Sequence, residues 1–188
     1  MKYFLPVLIF TAILGCADDS TRQGDSQPLP SSDPMTRATA AKNELQKRLS
    51  GRLKEAMSTA GPVAAISVCS KEAPQIADQV SKEQGVLIGR TSAKLRNAAN
   101  KPRQWVLDGM NLDAGNGDPM TTELADGIHG VMLPIKLQAT CLMCHGPTDQ
   151  ISDNVKSQLA KSYPDDQATG FKEGDLRGWF WVEVPGRS

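Results

Sequence analysis

The clearest pattern in the chain is an apolar stripe at Leu45, Leu49, Leu53 and Met57, four positions apart with lysines and arginines between. That spacing predicts one long amphipathic helix from Met35 to about Ala60. Asp33 offers a capping oxygen, Pro34 suits the first helical position, and Gly61-Pro62 should stop the run. A second helical face follows from Val63 to Gln84, carrying Ile66, Cys69, Ala73, Ile76 and Val80. Pro74 has no N–H, so this helix must break or kink near it, with Cys69 facing inward just before the irregularity.

Further along the period changes. Val86 to Ile88 is a short β-like run, and residues 109 to 121 are turn-rich, which predicts a surface loop. From Ile128 to Ile135, alternate positions His129, Val131, Leu133 and Ile135 share one face, with Pro134 marking an edge or a strand end. Ile151, Val155 and Leu159 mark a short helix that Tyr163-Pro164 closes. Leu176 to Val184 alternates Phe180, Val182 and Val184 with Trp179, Trp181 and Glu183, and the tryptophan side is expected to pack as core. Helical and strand-like segments thus both occur along the chain.

The N-terminus reads differently. Lys2 precedes an apolar run from Tyr3 to Gly15, too short for the ~20 residues of a membrane span and of the right form for an export signal. Its end, Ile13-Leu14-Gly15-Cys16, resembles the bacterial lipoprotein signal, in which cleavage before Cys16 leaves that thiol to be acylated. Ala17 is not the aspartate that would suggest inner-membrane retention, so the expected site is the periplasmic face of the outer membrane. Residues 17 to 34 are rich in Ser, Asp, Gln and Pro and form no core. The chain thus divides into a signal (1–15), a tether starting at Cys16 (16–34) and one domain (35–188).

Composition narrows the classes. With 188 residues and 39% hydrophobic content the chain suits a single globular domain with extra segments. Loss of residues 1 to 15 removes Lys2 and no acid, leaving 20 Lys+Arg against 21 Asp+Glu, formally −1. Such balance gives no ground for a nucleic-acid partner.

The chemistry centres on Cys141-Leu142-Met143-Cys144-His145. Two thiols three positions apart and an imidazole next to the second is the spacing of a c-type haem attachment site: Cys141 and Cys144 for thioether bonds, His145 for the iron. A thioredoxin-like redox pair would sit near a βαβ pattern, and a zinc site would need two more ligands at comparable spacing; neither is visible. Arg90, Lys94, Arg96, Lys101 and Arg103 fall within fourteen positions. Haem carries two propionates, so Arg90 or Arg96 is a candidate to hold them, against the alternative of a solvated basic face. For the second axial ligand, spacing alone prefers His129, with Met132, Met120 and Met110 also available.

Five separated motifs add a resemblance: Ala65-Ile66, Val68-Cys69 and Ala73 to Ala77; Gly89 to Ser92 with Arg96-Asn97 and Asn100; Pro134-Ile135; Cys141 to Gly146; and Tyr163 to Asp166 with Gly174 to Gly178. In this order they resemble the bacterial single-haem c-type family with a PAS-like core, long catalogued as a domain of unknown function and also found at the sensory end of membrane signalling proteins. Ala98 departs from it, standing where the family usually has proline. The resemblance implies an α+β fold with a central antiparallel sheet flanked by helices, one covalent haem c, and Cys69 as the second axial ligand opposite His145.

Two functions follow from these expectations. A coordinately saturated haem suits electron transfer with a redox partner protein. A PAS-like haem domain suits gas or redox sensing with a separate signalling protein. Peroxidase-like catalysis, with His129 as the acid–base group, ranks below both, and no substrate site is evident.

Overall fold

The structure, a computed structural model, describes Met1 and residues 33–113 and 116–186. The expected signal after Met1, the tether up to residue 32 and the acylation candidate Cys16 lie outside the described residues, while Asp33 and Pro34, assigned to the end of the tether, cap and begin the first helix.

Helix α1 (Pro34–Ser67) begins as its sequence dictates: the Asp33 carboxylate accepts from Thr36 N at 2.7 Å, with Pro34 in the first turn. Its stripe buries Ala38, Ala41, Leu45 and Leu49. At Gly61 the backbone leaves helical geometry (φ 77°, ψ 179°), so the rod bends where Gly61-Pro62 predicted a stop, then resumes. Val68–Glu72 is wound as a π-helix, and α2 (Ala73–Gln84) follows with Pro74 in its first turn. The missing N–H of Pro74 is thus accommodated by widening the preceding turn, and Cys69 lies within that turn. Gly85, in the left-handed region (φ 59°), ends α2.

Four antiparallel strands form one sheet in the order β1-β4-β3-β2, with β1 at Leu87–Thr91, β2 at Met120–Glu123, β3 at His129–Lys136 and β4 at Leu176–Val184. Of residues 109 to 121, expected to be a surface loop, 109–113 instead end helix α3 (Gln104–Asp113) and 120–121 begin β2. Val106 and Gly109 of α3 are buried against the sheet, and tertiary packing overrides the local turn composition. Pro134 is tolerated in an internal strand because β2 pairs only with His129 to Met132, leaving Pro134 on a locally free edge.

The two faces of the sheet have different covers. Ile88, Val131, Leu133, Phe180, Val182 and Val184 pack under α1, the π turn and α2. Met132 and Trp179 pack with Val106 beneath α3, where Trp105 and Trp181 join them. Helix α5 (Asp153–Ser162) sets Val155 and Leu159, with Ile151 and Tyr163, against Ile66 beyond the bend of α1.

Candidate functional site

The ends of β1 and β3 and the start of β4 meet at one end of the sheet. There β3 runs through Leu137 into a 3-10 turn (Ala139–Cys141) and the one-turn helix α4 (Leu142–His145), so the strand delivers the Cys-x-x-Cys-His motif. Gly146 is required at the exit: a Cβ there would lie 2.6 Å from Leu142 O. The loop after α5 closes over the motif through Phe171 N to His145 O (3.0 Å) and Gly170 N to Gly146 O (2.8 Å). Ala168 and Phe171 are buried with Leu137, and Cys141 and Leu142 pack against them; Cys144 leans instead on the α5 cluster.

His145 is half-buried, with Nδ1 2.8 Å from Ala168 O. A carbonyl can only accept, so the ring proton sits on Nδ1 and Nε2 keeps its lone pair. The contact of Arg177 Nε with the same Nδ1, at 3.3 Å, is therefore a close cation rather than a donor into a lone pair. Burial first, then Arg96 and Arg177, push the pKa down to about 3, so the imidazole is neutral near pH 7. A neutral imidazole whose other nitrogen is tied to a backbone carbonyl is the form in which histidine binds iron.

Arg96 is the hub of the site. Its Nε donates to Asp166 Oδ2 at 3.0 Å, and Nη2 donates to Cys144 O at 2.6 Å and to Ala168 O at 3.0 Å. Nη1 approaches His145 Nε2 at 3.5 Å. The side chains of Arg96 and Asp166 are only 9% and 11% exposed, so this ion pair is a buried one.

Cys69, in the π turn, completes the cluster. Burial raises its pKa, and Arg90, Arg96 and Arg177 pull it back, Arg90 most strongly. Burial likewise raises that of Cys144; Arg96 pulls it back, and Cys69 and Cys141 add to the rise. Cys69, Cys141 and Cys144 are all half-buried free thiols. Tyr163 stands beside Cys69, its hydroxyl pushed up to about 12 by burial and then by that thiol. Arg90 points from β1 toward the same place; its pKa is lowered by burial, and no carboxylate pairs with it among the described residues.

The basic stretch of the sequence therefore splits. Arg90 and Arg96 reach the site, Lys94 lies over the Phe171 ring at 5.1 Å, and Arg103 turns away to pair with Glu183 at 3.0 Å. The structure does not bring His129 to the site. It pairs with Val184 and Glu123 at the opposite end of β3, seven steps of about 3.3 Å from Lys136. Met132 is buried under α3, with Met110 and Met120 against it, on the sheet face away from Cys69. Spacing alone thus pointed to a histidine that the antiparallel sheet carries away.

Sequence reasoning gave no role to Asp166, to the Ala168 carbonyl or to Arg177. Tyr163 to Asp166 and Gly174 to Gly178 stood among the motifs of the resemblance, and they were the available signal. No group of three or more His, Cys, Asp or Glu side chains among the described residues is arranged to hold a bare metal ion.

A family model described as Tll0287-like matches residues 26–185. The solved structure of the cyanobacterial heme-protein Tll0287 has the same fold: TM-score 0.63 at 21% identity, over 83% of this chain and 98% of that one. No curated protein matches the chain.

Proposed function

The chain belongs to the Tll0287-like family, and from that premise we propose that it is a c-type haem protein of electron transfer or redox sensing, with Cys141 and Cys144 as attachment thiols and His145 as an axial ligand. The single observation that carries the reading is the state of His145: neutral, protonated on Nδ1 through Ala168 O, with the Nε2 lone pair met only by a long 3.5 Å contact from Arg96 Nη1 that an iron would replace. The donor set also fits. Both attachment thiols are unpaired beside that imidazole, and Cys69 lies on the helix-covered side with the polarity of a second ligand.

Charge fits as well. Arg90, Arg96 and Arg177 gather here against Asp166 alone, so the site carries excess positive charge that two propionates would offset. Arg96 is occupied by Asp166 and two backbone carbonyls, which makes Arg90 the better propionate partner. When bound, haem supplies an iron that cycles between ferric and ferrous states and takes a small gas at an open axial position. The chain's part is to hold His145 in one tautomer, to exclude water with Phe171 and Tyr163, and to set the charge around the thiols.

The antiparallel sheet between helices supports a PAS-like sensory reading, in which a separate protein receives the signal. Peroxidase-like catalysis loses support, since its acid–base group, His129, lies at the far end of β3. Export and acylation at Cys16 complete the proposal: the full chain should enter the membrane fraction, and Cys16→Ser should leave it soluble or unprocessed. Among the described residues no helix is long and apolar enough to cross a membrane, so a soluble wild-type protein would remove the anchor.

The central test is covalency. Denatured protein extracted with acid acetone should keep its haem colour, and Cys141→Ala with Cys144→Ala should lose it. Colour that extracts from the wild type overturns the c-type assignment.

A further inference from the structure

We propose that the buried Arg96–Asp166 ion pair is a positioning device that fixes the ring of His145 for the iron. The inference rests on the haem reading above and assigns roles to residues that reading does not need.

The geometry is a clamp on one residue. Asp166 Oδ1 accepts the N–H of Ala168 at 2.8 Å, while its Oδ2 accepts Arg96 Nε at 3.0 Å. Arg96 Nη2 returns to the carbonyl of the same Ala168 at 3.0 Å. Both polar groups of Ala168 are thereby held, and Ala168 itself is fully buried. The carbonyl so fixed is the one that takes the Nδ1 proton of His145. Nη2 also grips Cys144 O at 2.6 Å, immediately before the ligand, so backbone and ring are set by one guanidinium.

Three segments remote in sequence meet in this clamp: the loop after β1, the haem motif, and the loop after α5. Stability alone is a poor reason for it, because burying an ion pair roughly cancels its own attraction. Orientation is the better one. Partners that hold the second nitrogen of a metal-bound histidine set its tautomer and basicity, and their loss typically weakens the metal about 10- to 100-fold. Only a planar fork reaches Asp166, Cys144 O and Ala168 O together, so lysine cannot substitute.

The test uses the holoprotein and asks how firmly His145 is held. Nitric oxide added to the reduced protein competes with the opposite ligand, and electron paramagnetic resonance reports whether the histidine nitrogen remains. Wild type should keep it. Arg96→Lys, which preserves charge but not the fork, and Asp166→Asn should lose it from a large share of the haem, consistent with an about 10- to 100-fold weaker hold. Arg103→Lys, which alters an ion pair outside the site, should match wild type. Clamp variants that carry full covalent haem and keep the histidine signal overturn the proposal while leaving the haem reading intact. Wild-type protein without haem overturns both. If neither clamp variant folds, the wild type decides: His145 Nδ1–H must exchange slowly with solvent, and a ring proton exchanging at the solvent rate overturns the proposal.

Discussion

Cys69 and Arg90 are each other's strongest charge partner: the arginine does most to draw the thiol's raised pKa back down, and the thiol does most to keep the buried guanidinium charged. One comes from the π turn before Pro74, the other from the end of β1, and the pair exists only because α2 folds back onto the sheet.

That pairing fixes a sign. On the proposed haem reading, Arg90→Gln removes a positive charge beside the iron and favours the ferric state, which carries one more positive charge than the ferrous. The reduction potential should fall by something on the order of tens of millivolts. Because Arg90 faces Cys69 and is the proposed propionate partner, its removal leaves both without that cation, and the melting temperature of the holoprotein should fall. Voltammetry showing an unchanged or higher potential would mean that Arg90 does not act on the iron.

Glycines give a prediction independent of haem. A Cβ on Gly178 would lie 2.2 Å from Thr91 O and 2.9 Å from Ser92 Cβ, next to the last β1–β4 pair, Thr91 with Trp179. Backbone cannot yield as a flexible side chain does, so Gly178→Ala should cost roughly 2–4 kcal/mol. Gly51, on α1, has nothing within 4 Å of its would-be Cβ, and Gly51→Ala should gain about 0.5–1 kcal/mol. Denaturant melts of the two variants should move in opposite directions; equal shifts would mean that the β1–β4 contact is not tight.

Much of this was legible in the sequence because the signals were local. The Leu45 and Leu49 stripe, the Asp33 cap, a break at Gly61 (a bend rather than the expected stop) and the alternation of Phe180, Val182 and Val184 are each written in a few neighbouring positions. The π turn at Cys69 was legible as a consequence of Pro74, though not as a π turn. Helix α3 and β2 were not, since turn-forming composition there is outweighed by burial of Val106 and Met132. Nor was the clamp: Arg96, Asp166 and His145 are far apart in the chain, and nothing in one segment signals the other two.

The choice of second axial ligand is the sharpest remaining test. Sheet geometry places His129 beside Val184 and Glu123, whereas Cys69 shares its surroundings with Cys144, Arg90 and Tyr163 next to His145. We expect Cys69→Ala to abolish the thiolate signature of the ferric absorption spectrum while leaving haem covalently attached. His129→Ala should leave the spectrum unchanged. A thiolate stabilises ferric iron, so the variant's potential should also rise relative to wild type. Reduction lowers the charge on the iron and its hold on sulfur, and burial favours the protonated thiol, so carbon monoxide should bind the reduced protein and not the oxidised one. A ferric spectrum indifferent to Cys69→Ala but altered by His129→Ala would mean that the ligand comes from the opposite end of β3, and that the site holds its iron in an arrangement quite different from the cluster around Arg96.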